Sequence, residues 1–227
     1  MKSLVFIPGF MLDETIWRLA EPSLACLGRV IHPNIFTGKD IPDIAHKILA
    51  VTPDKFVLIG FSMGGYIARE ICRLAPDRVE KLVLIATSSR GDTAARKVVK
   101  DATLRSIDNF SALSRNSIRR SFVETTPGLD QLIEEIRDTS KRLGKAVFSQ
   151  QLRMPRESDS TKLSRITCPT LVLAGRFDKL RSVEEAAELV AGIPHAKIKI
   201  LDTGHMVPLE SPGGMADAIT EFIGFDQ

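Results

Sequence analysis

Four short apolar runs constrain this chain more than any other feature of its sequence. They lie at residues 4–7, 56–59, 82–85 and 170–173, the last opened by Thr170, and turn-forming residues such as Pro8-Gly9 and Gly60 close two of them. Runs this short with no charged residue suit strands buried on both faces of a parallel sheet. Weaker strands are expected at 30–31 and 198–201. Helical spacing fills the gaps. A first helix is expected from about Thr15 towards Leu24, with Ile16, Leu19 and Ala20 inward, and Ile44, Ile48 and Leu49 mark a second that stops before Pro53. From Gly64, Ile67, Ile71 and Leu74 share one helix face, with Arg69 and Arg73 on the other, until Pro76 ends it. Helices at 182–190 and 215–223 continue the pattern. Such alternation predicts an α/β fold: a mostly parallel sheet with helices on both faces.

Residues 89–165 break the alternation. They hold no strong strand, only weakly amphipathic helical stretches such as 129–143. The expected organisation is therefore a core made of residues 1–88 and 166–227, with a helical insertion at 89–165. At about 150 residues per domain, a chain of 227 residues fits one core with an insertion. With 44% apolar and 26% charged residues, the composition argues against a disordered or fibrous chain. No apolar stretch approaches the ~20 residues of a membrane helix. The apolar stretch 4–12 lacks a small-residue cleavage site and is followed by Asp13-Glu14. Three widely spaced cysteines with no Cys/His cluster disfavour a disulfide framework and a zinc site, so a cytoplasmic setting is expected.

The segment Gly60-Phe61-Ser62-Met63-Gly64-Gly65 matches G-x-S-x-G between a strand and a helix. A nucleophilic serine there adopts strained dihedrals and needs neighbours with almost no side chain, which Gly60 and Gly64 supply. Serine also needs a base. His32, His46 and His195 sit where surface histidines are expected, whereas His205 follows the last strand in a loop on the same sheet edge as Ser62. Asp178, just past strand 170–173, is placed to orient that imidazole; Asp202 is its rival but lies only three residues from His205. An oxyanion formed at Ser62 would take the amide of Met63 and one from the loop after the first strand, Phe10 or the neighbouring Met11. Trp17 reads as a packing anchor, Cys72 as a buried residue and Met63 as core filler.

These motifs, together with P-G-F at 8–10, C-P-T-L-V-L-A-G-R-F-D at 168–178 and D-T-G-H-M-V-P-L-E at 202–210, resemble the α/β-hydrolase fold superfamily. The resemblance spans nearly the whole chain outside the insertion. It implies that Ser62, Asp178 and His205 form a catalytic triad and that residues 89–165 form a helical lid. It also implies an acyl pocket walled by lid and core side chains, Phe61 and Met206 among them. There are three departures, one being that residues 33–39 stand where many relatives carry an acidic, glycine-rich loop. Pro8-Gly9 replaces a common His-Gly, which removes a side chain that can brace the oxyanion loop, and the usual first two strands are missing.

The function expected is a serine hydrolase acting on a small ester, lactone or thioester through an acyl-Ser62 intermediate, with no cofactor. The alternatives are a C–C bond hydrolase or lyase acting on a carboxylated metabolite, and a small-molecule receptor that retains the triad. Dehalogenation is disfavoured because it needs a carboxylate at position 62. Nucleic-acid binding is disfavoured because Tyr66 and Trp17 are the only Tyr and Trp. The net charge of +3 divides unevenly: 16 Lys/Arg against 10 Asp/Glu in residues 90–165 gives +6 there and −3 elsewhere. An anionic substrate is therefore expected, drawn in by lid arginines such as Arg115, Arg119 and Arg120.

Overall fold

The six runs read as strands all pair, and all in parallel, in the computed structural model, which describes residues 2–224. They are β1 (Lys2–Ile7), β2 (Gly28–Ile31), β3 (Phe56–Phe61), β4 (Val79–Ile85), β5 (Thr170–Gly175) and β6 (Lys197–Leu201), in the order β2-β1-β3-β4-β5-β6. The chain moves from β1 to one neighbour, then crosses to the other. That reversal opens a crevice at the carboxyl ends of β1 and β3, where ligands bind in open sheets. Ile7 pairs with Gly60, so the loops leaving these two strands emerge side by side.

Alternation along each strand builds two cores. Leu4, Phe6, Ile59, Phe61 and Leu173 face one side and pack with Trp17 and with Ile219 of α9 (Pro212–Gly224). Val5, Ile7, Leu58, Leu84 and Val172 face the other. There they meet α2 (Ile41–Val51), α3 (Met63–Leu74) and α7 (Val183–Gly192). Local signals begin two of these helices. Asp40 accepts from the Asp43 amide ahead of α2, and Ser182 with Glu185 forms a reciprocal capping box on α7. Trp17 is fully buried, edge-on to Phe6 at 5.0 Å.

Two helical expectations need correcting. Residues 15–24 are not one helix but a 3-10 turn (Glu14–Trp17) followed by a short α1 (Glu21–Leu24), and Leu19 is exposed. Pro22 lacks an amide and fits only the first turn of a helix, so the chain restarts just ahead of it. On α3, Arg69 is not on a solvated face. It is fully buried, donating to Asp159 at 2.8 and 3.1 Å and to the Ser88 carbonyl at 2.8 Å, while Leu74 is exposed. Helical period separates apolar from polar positions, but a paired arginine can be covered as fully as a leucine.

Between β4 and β5 run α4 (Ala94–Arg105), α5 (Arg115–Arg119) and α6 (Leu129–Arg153). The helix expected at 129–143 stops at Gly144, whose φ of 75° kinks α6 before it resumes. Ile118, Phe122, Ile133 and Ile136 join the core that holds Leu12, Phe61 and Met206, whereas α4 buries no residue. A short α8 (Val207–Glu210) follows the loop after β6. No helix among the described residues is long and apolar enough to cross a membrane.

Candidate active site

Ser62 sits at the turn from β3 into α3 with φ 52° and ψ −111°. Its amide donates to the Ile85 carbonyl at 2.8 Å, which continues the β3–β4 ladder into the turn. Gly64 permits this geometry by close approach. A Cβ there would lie 2.2 Å from the Ile7 carbonyl oxygen, and one at Gly60 would lie 2.7 Å from the carbonyl oxygen of Gly64. The turn can be this tight only because both positions lack a side chain.

The structure brings the three expected side chains together. His205 Nε2 lies 2.9 Å from Ser62 Oγ, and His205 Nδ1 lies 2.7 Å from Asp178 Oδ2. Asp178 is 8% and His205 5% exposed. The second Asp178 oxygen accepts from the backbone amides of Leu180 at 2.7 Å and Arg181 at 2.9 Å, which fixes the carboxylate. Asp202, the rival, points to solvent and pairs with Arg176. His32 pairs with Glu21, and His46 and His195 are exposed.

Two carbonyl–amide bonds hold the His205 loop from the inserted segment. The Ser121 carbonyl accepts from His205 N at 2.8 Å and from Met206 N at 3.2 Å. Gly204 is required here for space rather than for a left-handed turn: a Cβ would fall 2.9 Å from that same carbonyl oxygen.

The two amides weighed in the loop after β1 differ in their partners. Met11 N donates to Gln151 Oε1 at 2.8 Å, and Met11 adopts φ 53°. Its amide is therefore occupied. The Phe10 amide has no protein acceptor among the described residues, and the Met63 amide opens α3 where no intrahelical acceptor exists. Gln151, fully buried on α6, thus braces the loop from which Pro8 removed a side chain. Nothing in the sequence pointed to Gln151 or to Ser121.

A cavity of about 650 Å³ opens at Ser62 and His205. Phe61, Met206 and Arg120 line it, together with apolar Leu12, Val99 and Leu152. Arg115 and Arg119 do not. They lie on the outer surface, Arg115 against Glu134 and Asp130, Arg119 against Glu124 and Asp130. Short, exposed α5 turns both outward beside the acidic face of α6. The cations that do reach the cavity, besides Arg120, are Arg96, Lys100, Arg156 and Arg181.

A family model for the α/β-hydrolase fold matches residues 33–212. The chain belongs to the α/β-hydrolase fold family. Among curated relatives of this α/β-hydrolase, a pimeloyl-[acyl-carrier protein] methyl ester esterase from Vibrio parahaemolyticus is 28% identical, across 86% of this chain and 83% of that protein. One of the same name from Vibrio atlanticus is 26% identical across 99% and 94%. Among solved structures, a thermophilic esterase from Thermogutta terrifontis, with malate bound, superposes with a TM-score of 0.87 at 27% identity, covering 99% of this chain and 90% of that one. Family and relatives together make this α/β-hydrolase an enzyme of the carboxylic ester hydrolase type.

Proposed function

We propose that this α/β-hydrolase cleaves a small ester through an acyl-Ser62 intermediate, with residues 89–165 acting as a lid over a core formed by 1–88 and 166–227. The observation that carries the reading is the unbroken chain from Asp178 through His205 to Ser62 Oγ, ending in the cavity. An ionised carboxylate only accepts, so His205 Nδ1 must hold the proton that faces Asp178. Nε2 is then the free lone pair, 2.9 Å from the Ser62 hydroxyl. Ser62 Oγ attacks the ester carbonyl as its proton passes to Nε2, and the amides of Phe10 and Met63 receive the oxyanion. The protonated imidazole hands that proton to the departing alcohol. Water, deprotonated by His205 in turn, releases the acid from Ser62.

Lactones and thioesters pass through the same acyl-serine, so the linkage is a matter for a substrate panel. The name shared by the Vibrio relatives makes a methyl ester of a longer acyl chain the first member to test. Purified protein should hydrolyse 4-nitrophenyl acetate and butyrate, and Ser62→Ala should lower kcat by more than about 10⁴-fold. Turnover that survives Ser62→Ala would overturn the reading. So would a wild-type protein that turns over no ester, lactone or thioester yet binds a small molecule tightly, the behaviour of a receptor.

A further inference from the structure

Of the cationic side chains on the cavity wall, Arg156 differs from the rest. It is buried, only 8% exposed, and no carboxylate lies within ion-pair distance of it among the described residues. Its Nε is buried with no hydrogen-bond partner. The carboxylate near it, Asp92, is already taken by Lys100 at 2.7 Å and Arg96 at 3.2 Å. Arg96 and Arg181 add repulsion rather than relief. Burying a charge without a partner is costly, and chains rarely retain one unless something outside the chain supplies the counter-charge.

The backbone that carries this guanidinium is fixed: the Arg156 carbonyl accepts from Asp92 N at 2.7 Å, and a Cβ at Gly91 would come within 2.9 Å of that oxygen. Its planar group lies over the Phe10 ring, 5.8 Å from the centroid, so it stands beside the loop that offers the Phe10 amide. Arg181, whose amide holds Asp178, reaches the same cavity. Five cationic side chains line that cavity and no Asp or Glu does. Apolar Val99, Leu113, Ile136 and Leu152 fill the wall between them.

We infer that Arg156 is the anchor of an anion subsite, and that the substrate is an ester carrying, on an apolar chain, a second group with paired anionic oxygens. The flat guanidinium fork matches a carboxylate or a phosphate equally in charge and offers each two parallel N–H donors. The inference rests on Ser62 as the nucleophile and adds the substrate class to that reading.

The test is a ratio. kcat/KM is measured for 4-nitrophenyl hydrogen glutarate, which ends in a carboxylate, and for the neutral 4-nitrophenyl pentanoate. The ratio of charged to neutral substrate should fall about 10- to 150-fold in Arg156→Met, the range for a hydrogen bond to a charged group. A general loss of activity cancels in the ratio. Arg156→Lys, which keeps the charge without the fork, should fall between the two. A ratio unchanged within threefold in Arg156→Met overturns the subsite.

A second measurement separates this inference from the esterase reading. Ser62→Ala should bind glutarate or inorganic phosphate by calorimetry, and Ser62→Ala/Arg156→Met should lose most of that affinity. Tighter glutarate marks a carboxylated substrate, and tighter phosphate a phosphorylated one. Binding of neither anion, or equal binding with and without Arg156, sinks the subsite even if Ser62 proves to be the nucleophile. Anion binding in a protein that hydrolyses no ester would sink the esterase reading alone.

Discussion

Asp178→Asn tests the proposed relay at its most constrained point. The substitution is isosteric, so the fold should survive it, but the amide must choose an orientation. Leu180 N and Arg181 N both point at the oxygen that is Oδ1 in the native side chain. If Asn keeps its oxygen there, its NH₂ faces His205 Nδ1. The imidazole must then accept at Nδ1 and carry its proton on Nε2, which leaves no lone pair for the Ser62 hydroxyl. The productive orientation instead strands two backbone donors against an NH₂ group. At about 1–3 kcal/mol for each unsatisfied buried donor, it lies at least about 2 kcal/mol higher. The wrong tautomer therefore dominates by roughly 30-fold or more, before the lost stabilisation of the imidazolium is counted. In serine proteases the same exchange lowers kcat by about 10⁴, and a loss of that order is expected here. The assay is kcat for 4-nitrophenyl butyrate, with the melting temperature as a control on folding. A folded Asp178→Asn protein with kcat within tenfold of wild type would refute the reasoning.

The other predictions test groups that hold the site. Gln151→Leu leaves the Met11 amide buried without an acceptor, at about 1–3 kcal/mol; kcat should fall about tenfold or more while KM moves less, and an unchanged kcat would rule out the brace. Asp159→Ala exposes Arg69 and Arg73 to burial without their shared carboxylate, so urea unfolding should show about 3–5 kcal/mol lost, and a loss under 1 kcal/mol counts against the clamp. Gly64→Ala forces a methyl into the Ile7 carbonyl and should abolish activity together with the cooperative melt near the wild-type temperature; a normal melt would contradict the packing. Burial, with repulsion from Arg96, pulls the Arg156 guanidinium down to about 10, against Asp92 and Tyr66, which act the other way. The charged form is the one that binds an anion and it prevails below that value, so glutarate affinity in Ser62→Ala should hold from pH 7 to 9, and a fall within that range would count against Arg156 as the anchor.

What could be read from the sequence shares one property: the signal is local. Four apolar residues in a row mark a strand buried on both faces wherever they occur, and the Gly60 to Gly65 turn carries its steric requirement within six residues. His205 and Asp178 were legible because each follows a strand whose place in the sheet was already implied. The misplaced features needed partners far along the chain. Arg69 looked solvated on helical period alone, since its carboxylate partner lies 90 residues away. Gln151 meets Met11 across 140 residues, from a helix of weak amphipathicity. The excess of positive charge in residues 90–165 was visible as an amount, but composition carries no direction. Arg115 and Arg119 belong to that excess and face water, while Arg156 belongs to it and faces the cavity.

That difference bears on what the inserted segment does. A cover alone would touch the substrate and little else. Residues 89–165 instead reach the core at three places that matter to the proposed chemistry. The Ser121 carbonyl holds the amides on either side of the His205–Met206 peptide step, Gln151 holds the loop that presents the Phe10 amide, and Arg156 lies over the ring of Phe10 itself. Base, oxyanion donor and anion anchor therefore share one support. Nor does the segment float free of the core, because the buried Arg69 of α3 binds Ser88, the core residue just before it, and Asp159 near its end. Even α4, which buries none of its residues, is tied back through Lys100, which donates to Asp92 at 2.7 Å and to the Met154 carbonyl at 2.9 Å, so the inserted segment is anchored along its length as well as at both ends.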